Sequence, residues 1–510
     1  MEYTNIREKS IFDKDARERT GSFYTPKMWV DLSQKYLADV FGNDWQREYY
    51  VWDCAAGTGN LLVGLTNKNR VWASTLDQTD VEAMKDRMKK GANLLENHIF
   101  QFDFLNDDFS KLPQDLQDII QDPKKRNKLI IYINPPYAEC GRGEKDVSAN
   151  KIGVANNNKI HAQYAKILKK ASRELFAQFL IRIYCEIPSA KIANFSTLKN
   201  LQSANFKWFR ESFRTTPEKI FLTPAKTFEH VKGRFSIGFM IWKMDNQTPF
   251  EKIQADIYDK NGQFVGKKTI YNYDNQKFIN DWITTFRGGE EGEIIGSLSC
   301  KLNDFQNANM VYIANSKSDL PVRCKYLNIK AKNLIHACIY FTVRRIIPAT
   351  WLNNRDQFLY PDNQWEKDAE FQNNCLAYAL FTNNISTKKG VNHWIPFAEK
   401  EVNAKNSFDS HFMMQFLTEN VKQEFSSEAI SVFNAGRELW KYYHSQADAN
   451  VNASFFDIKA YFLGRNENGN QHKKSKNETY NQLMKNLREN LNNLAKKIEP
   501  KVYEYGFLMQ

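Results

Sequence analysis

Two short segments hold residues whose types and spacing could do chemistry. Asn134-Pro135-Pro136-Tyr137 follows the apolar run Leu129–Ile133. Two prolines make a rigid, extended turn and remove backbone donors. The side-chain carbonyl of Asn134 and the backbone carbonyl of Pro135 can therefore point at one shared amino group, with Tyr137 offering a flat face beside it. Paired acceptors of this kind stabilise a nitrogen on which positive charge develops. An ordinary loop is the competing reading. The second segment, Asp53-Cys54-Ala55-Ala56-Gly57-Thr58-Gly59-Asn60, lies between a β-like run and Leu61-Leu62. Small residues there let the backbone approach a ligand, and a helix start supplies unsatisfied N–H groups. It lacks the ending of a phosphate loop and the third glycine of a dinucleotide fingerprint. A tight strand-to-helix turn accounts for it equally well.

The elements around these turns alternate as a βαβ chain should. Strands are predicted at 50–54, 71–76, 99–102 and 129–133, and two later runs, 219–222 and 235–242, would complete the sheet. Their near-continuous apolar character suits a parallel sheet covered on both faces. Thr25-Pro26 opens a helix, with Thr25 as the cap, Met28, Leu32, Tyr36, Leu37 and Val40 as its apolar stripe, and Gly42 as its stop. The glycine turn and the Asn-Pro-Pro-Tyr turn both fall at carboxyl ends of strands. In an open α/β sheet ligands bind at that edge, so both can face one crevice. The expected class is α/β, with a Rossmann-like, doubly wound, mostly parallel sheet.

The combination resembles the class I S-adenosylmethionine-dependent N6-adenine DNA methyltransferases in which the cofactor motif precedes the catalytic one. The resemblance spans roughly residues 17–245. Arg19-Thr20-Gly21-Ser22-Phe23-Tyr24-Thr25-Pro26 looks like the family's N-terminal cofactor motif, and Asp53–Asn60 like its glycine loop. Phe102-Asp103-Phe104-Leu105 looks like the adenine-contacting motif, and Asn134–Tyr137 like the catalytic tetrapeptide. The resemblance implies S-adenosylmethionine as cofactor and no metal. It places Tyr24, Thr25 and Pro26 near the methionine moiety, and Asp53, Ala55, Gly57, Gly59 and Asn60 around the methionine end. Asp103 would bind the cofactor's adenine amino group, with Phe104 on its ring, and Asn134 would also contact the cofactor. The family's ribose-binding carboxylate falls on Thr75, so Asp77 is the replacement, with plain surface exposure as its alternative. The catalytic set is Asn134, Pro135, Pro136 and Tyr137, acting on a base flipped out of double-stranded DNA. Phe228 would close the other face of that base, or else serve as core.

Composition bounds the rest. A chain of 510 residues is too long for one domain, and a boundary is expected near 245. Residues 1–245 would be the catalytic domain, and 246–510 a mixed α+β target-recognition region. Lys260-Asn261-Gly262 signals a hairpin there. Tyr480, Leu483, Leu487, Leu491, Leu494 and Ile498 mark an amphipathic terminal helix. The net charge of +12 favours a polyanionic partner. Arg344-Arg345 and Lys473, Lys474, Lys476, Lys485 and Arg488 could contact phosphates, or form solvated faces. Arg142 and Lys145, in the polar stretch 138–159, would lie near DNA. Asp457-Ile458-Lys459 is too isolated to be a nuclease motif. Seven scattered cysteines, none in a C-x-x-C pair, read as reduced, buried thiols in a cytoplasm, and the eight histidines show no metal-ligand spacing. No apolar run is long enough for a membrane span. Only a short segment precedes the cofactor motif, so the expectation is a stand-alone modification enzyme or one paired with a separate restriction or defence subunit. Two other readings remain: a glutamine-N5 protein methyltransferase, and a catalytically idle S-adenosylmethionine-binding specificity subunit.

Overall fold

The computed structural model describes residues 24–137, 156–229, 231, 233–244, 250–287, 291–322, 324–421, 425–467 and 470–510. Arg19–Phe23 of the N-terminal motif, Cys140, Arg142 and Lys145 lie outside them. The chain divides into two units, Met1–Asn275 with Thr350–Arg355, and Gln276–Ala349 with Asp356–Gln510.

Unit 1 is built on a nine-stranded sheet in the order β3-β2-β1-β4-β5-β7-β6-β8-β9. The first five strands are β1 (Tyr50–Asp53), β2 (Val71–Thr75), β3 (Ile99–Gln101), β4 (Leu129–Ile133) and β5 (Lys191–Thr197). All of their pairings are parallel. β7 (Ser236–Lys243) runs antiparallel between β5 and β6 (Thr216–Pro224). The hairpin β8 (Lys252–Tyr258) and β9 (Phe264–Tyr271) then adds to β6. This is the α/β, doubly wound, mostly parallel sheet expected.

Alternation along each strand feeds two cores. Trp52, Trp72, Leu129, Ile131 and Ile133 face one side, under α3 (Gln114–Gln121), α4 (Lys159–Leu168) and α5 (Leu175–Glu186). Val51, Ala73, Ile130 and Tyr132 face the other, under α1 (Lys27–Phe41) and α2 (Gln78–Lys89). Each such buried aliphatic side chain is worth about 1.5–3 kcal/mol relative to exposure, which explains why β4 is apolar throughout.

Several expectations change. β5 is an additional strand: Asn194 and Ser196 interrupt its apolar run, yet both are buried, and Asn194 Oδ1 accepts a bond from Trp242 Nε1 at 2.7 Å. The boundary expected near 245 lies after Asn275 instead, because the hairpin at Lys260-Asn261-Gly262 extends the first sheet. α1 buries Trp29, Val30, Ser33, Tyr36 and Leu37, whereas Met28 is exposed.

Unit 2 is mixed α+β. Its three-stranded sheet has the order β11-β10-β12, with β10 at Gly296–Cys300, β11 at Ile313–Ala314 and β12 at Lys325–Ile329. Its longer helices are α6 (Leu334–Val343), α7 (Ala369–Leu380), α8 (Phe412–Asn420), α9 (Ser427–His444), α10 (Phe455–Leu463) and α11 (Glu478–Glu504). α11 is the amphipathic helix read from sequence, and it buries Tyr480, Met484, Leu487, Leu491, Leu494, Ile498 and Val502. Asp457 has a structural role: its carboxylate accepts bonds from Ser386 Oγ at 2.6 Å and Thr387 N at 2.8 Å.

Arg344 is fully buried, so it is not a surface phosphate contact. Its guanidinium donates to the carbonyls of Leu302 at 2.6 Å and Asp304 at 3.0 Å, and lies over Phe358. Cys54, Cys300, Cys338 and Cys375 are buried free thiols, but Cys185 is exposed and Cys324 half-buried. Among the described residues no helix is long and apolar enough to cross a membrane.

Candidate functional site

Four adjacent strands, β3, β2, β1 and β4, bring their carboxyl ends to one edge. Asp103 follows β3, Asp77 follows β2, Asp53 ends β1 and Asn134 follows β4. The strand order reverses between β1 and β4, the position where open α/β sheets bind ligands. The glycine turn and the tetrapeptide therefore sit on neighbouring strands.

Asn134 is held from both sides. Its Nδ2 donates to Thr25 Oγ1 at 2.9 Å, and its Oδ1 accepts from the Tyr137 hydroxyl at 2.5 Å. An amide whose nitrogen is committed to an acceptor cannot flip without losing that bond, so Thr25 sets which atom of Asn134 faces Tyr137. Thr25 does not cap α1 as expected: Pro26 occupies the cap position with no side-chain bond. α1 itself is docked on β4 by Ser33 Oγ and Tyr132 Oη, 2.5 Å apart. It also braces the far end of the glycine turn, through Gln34 Nε2 to the Val63 carbonyl at 2.8 Å. The Pro135 carbonyl accepts no hydrogen bond among the described residues. Burial raises the Tyr137 phenol above its ordinary range, so it stays a donor.

In the glycine turn, Gly57 and Gly59 have φ of +51° and +81°, a region that disfavours side chains. A Cβ on Gly59 would lie 3.2 Å from Met84 Cγ, so that glycine serves packing on α2. A Cβ on Gly57 would have its nearest neighbour, Asp80 Oδ2, at 3.9 Å, so that side of the turn is open. Arg87 Nη1 fastens the turn, donating to the Thr58 carbonyl and to Asn60 Oδ1, each at 2.7 Å. Asn60 is thus engaged within the protein. The Ala55 N–H is likewise spent on Asp53 Oδ1 at 3.0 Å. The Thr58 hydroxyl is buried with no partner, a state that is costly unless something else completes it.

Asp53 is 1% exposed, and burial pushes its carboxyl up to about 8 against the lowering effect of the Ala55 N–H. A proton is therefore held more tightly in the folded chain than in the unfolded one. The stability contributed by neutral Asp53 is complete below the ordinary carboxylate range and is lost as pH rises through about 8. Asp53→Asn should remove that dependence. Melting curves from pH 5 to 9 should show the stability difference between variant and wild type widening by up to a few kcal/mol; parallel curves would refute the assignment.

The remaining candidates divide. Tyr24 and Pro26 are half-buried beside Thr25, and Asp77 is exposed at the start of α2. Asp103 accepts from Leu105 N at 2.9 Å and Asn106 Nδ2 at 2.7 Å. A carboxylate has about four acceptor sites, so capacity remains.

Phe104 and Phe228 lie in the core, for Phe228 the alternative that the sequence also offered. Phe104 is 2% exposed and stacks on Phe179 at 4.9 Å, within the core beneath the sheet edge. Phe228 is 1% exposed and packs edge-on to Phe195 at 6.0 Å. Each ring completes an apolar cluster. Arg182 was not anticipated: buried on α5, it donates to the Phe104 and Asp107 carbonyls and pairs with Glu186 at 2.8 Å, fixing the Asp103 turn. A lone arginine within an otherwise apolar helix is the signal that could have revealed it.

No family model and no curated protein matches this chain. Solved structures similar to it include the DrdV–DNA complex, at 15% identity and TM-score 0.37, covering 58% of this chain and 36% of that one. The Type IIL restriction-modification enzyme MmeI in complex with DNA matches at 11% identity and TM-score 0.37, over 93% of this chain and 73% of that one. The M protein of the Type I restriction enzyme EcoKI matches at 12% identity and TM-score 0.27, over 50% of this chain and 51% of that one. This chain thus spans about a third of the length of the first. At these values the likeness carries no residue and no activity over to this chain.

Proposed function

We propose that this chain is a DNA methyltransferase that uses S-adenosylmethionine to methylate adenine N6 in double-stranded DNA, within a restriction-modification or defence setting. The observation that carries the reading is the placement of Asn134 and Pro135 directly after β4, next to the glycine turn that follows β1, at the point where strand order reverses.

The residues present fit the cofactor. Gly57 leaves an open side to the turn, and Thr58 Oγ1 is a buried hydroxyl lacking a partner. Asp53 is a buried carboxyl with no cation among the groups acting on it. An ammonium beside Asp53 would restore its charge. Asp77 would take the ribose hydroxyls and Asp103 an exocyclic amino group. S-adenosylmethionine supplies an electrophilic methyl on a sulfonium.

An adenine amino nitrogen is a poor nucleophile because its lone pair is delocalised into the ring. Asn134 Oδ1 and the Pro135 carbonyl would accept its two hydrogens. They would stabilise the charge that develops as the nitrogen bonds to the methyl carbon and the carbon–sulfur bond breaks, one of those hydrogens then leaving to solvent as a proton. Holding that nitrogen in line adds the gain of a near-unimolecular reaction. The Tyr137 hydroxyl fills one of the two acceptor sites of Asn134 Oδ1, and its ring would stack on the flipped base. Unit 2 would supply target recognition.

The test is transfer of labelled methyl to genomic DNA lacking adenine methylation, followed by digestion to nucleosides. Label in N6-methyladenine is expected. Label only in protein would favour a glutamine methyltransferase, and binding without transfer an idle specificity subunit.

Thr25 would act through Asn134 as a positioning residue. Thr25→Val should lower kcat roughly tenfold, the worth of about one buried hydrogen bond, leave the KM for cofactor unchanged, and be rescued by Thr25→Ser. A loss confined to KM would place Thr25 in cofactor binding instead.

A further inference from the structure

Three turns of unit 1 meet around the start of α1. Thr25, just before it, accepts a bond from Asn134 Nδ2 at 2.9 Å. Trp29 Nε1 donates to Thr227 Oγ1 at 2.8 Å, which brings in the turn Ala225–Thr227 after β6. A Cβ on Gly262 would lie 3.5 Å from Met28 Sδ, which brings in the tip of the β8–β9 hairpin. Strand direction agrees with these contacts. β8 is parallel to β6, β6 and β5 are each antiparallel to β7, and β5 is parallel to β4. β8 therefore runs as β4 does, and the hairpin tip stands at the same sheet edge as Asn134.

The tip is a fixed structure. Asp259 Oδ1 accepts from the N–H groups of Asn261 and Gln263, each at 2.9 Å, so its charge is spent within the turn. The hairpin is tied to α1 through Tyr36, whose hydroxyl donates to the Asp256 carboxylate and lies 3.5 Å from the Tyr258 hydroxyl. Around this tip three large apolar side chains face water: Met28 is 41%, Phe264 53% and Val265 58% exposed. Lys226 and Lys260 are exposed on their turns, and among the described residues neither side chain has a hydrogen bond or an ion pair. Glu229 is also exposed and offsets part of that charge. Apolar side chains left in water beside free cations, on turns that do not need them for folding, mark an interaction surface.

We propose that the Lys226 and Lys260 turns, with Met28, Phe264 and Val265, form a surface of unit 1 that docks the backbone of duplex DNA beside the Asn134 turn. DNA as the partner rests on the methyltransferase reading. Four strand spacings separate β4 from β8, about 19 Å, a length over which one DNA strand presents about five phosphates. A strand that delivers a base to Asn134 can thus lay phosphates on both lysines. The lysines supply point charges that position without reading sequence, and the apolar side chains cover sugar edges.

The experiment measures binding of a 30-base-pair duplex of mixed sequence to the full chain across salt concentrations. Lys226→Ala combined with Lys260→Ala should lower the salt slope by about two and weaken binding roughly tenfold or more. Lys124→Ala combined with Lys125→Ala removes the same charge from the segment Pro123–Arg126, which precedes β4 and so lies at the opposite edge. That pair should leave the slope unchanged. Phe264→Ser should weaken binding severalfold with the slope kept. All of these side chains are exposed, so melting temperature and S-adenosylmethionine affinity should match wild type.

Equal slopes for the two lysine pairs would mark a diffuse charge effect and overturn the proposal. Unchanged affinity in Phe264→Ser would remove the apolar part of the surface. A wild-type dimer that Phe264→Ser dissociates would give the surface to a second copy of the chain, and also overturns it. Methyl transfer to DNA without the slope change defeats this surface alone. The slope change without methyl transfer defeats the adenine chemistry alone.

Discussion

Asn134→Ala is expected to lower methyl transfer to DNA by roughly 10²–10³-fold, the usual cost of removing one group aimed at charge developing in a transition state. The variant deletes an acceptor and leaves the Pro135 carbonyl in place, so a residual rate should survive. Cofactor affinity should change little if Asp53, Thr58 and the open side of Gly57 carry that binding, as their placement on β1 and its turn suggests. The loss should appear in single-turnover rate rather than in KM for the cofactor. Fold stability is a necessary control, because Thr25 would lose its bonded partner at 2.9 Å. Thr25 is 6% exposed, so that loss should stay near 1 kcal/mol. A variant with wild-type turnover would remove Asn134 from the chemistry.

Tyr137 yields two opposed expectations from one side chain. Tyr137→Ala removes the stacking face, and base–aromatic stacking is worth about 1–3 kcal/mol, so transfer should fall by roughly 10–10²-fold. Tyr137→Phe keeps the ring but removes the hydroxyl that now occupies Asn134 Oδ1 at 2.5 Å. A base entering the site would share Asn134 Oδ1 with that hydroxyl or displace it, since the amide oxygen has two acceptor sites. The phenylalanine variant should therefore hold wild-type turnover or exceed it, with a lower KM for DNA. Steady-state kinetics on a single DNA substrate separates the cases. If Tyr137→Phe is as damaged as Tyr137→Ala, the hydroxyl itself takes part in the reaction and the stacking role is wrong.

Local periodicity made much of unit 1 legible. β4 reads as an unbroken apolar run because both of its faces are buried, and the glycine and tetrapeptide turns stand out because few residue types satisfy such backbones. β5 was hidden by Asn194 and Ser196, whose burial depends on partners distant in sequence such as Trp242. Phe104 and Phe228 illustrate the same limit from the other side. Motif position places an aromatic near a site, but only tertiary packing determines which way its ring turns. Thr25 stood out beside Pro26 as a helix-start residue, yet its bonded partner Asn134 is 109 positions away and no local pattern links them. The domain boundary moved because a hairpin signal specifies a turn without specifying which sheet the hairpin joins. Unit 2 offered less, since short helices packed through many side-chain-to-backbone bonds leave little period to read; Arg344, adjacent to an apolar helix, looked like a surface cation and is buried beneath carbonyls.

The most direct measurement is a crystal structure of the chain with S-adenosylhomocysteine and a duplex carrying the site mapped by methyl transfer. The expected result is an extruded adenine whose N6 lies about 3 Å from both Asn134 Oδ1 and the Pro135 carbonyl, with the Tyr137 hydroxyl released and its ring against the base. An adenine bound elsewhere, with Tyr137 still donating to Asn134 Oδ1, would contradict the assignment.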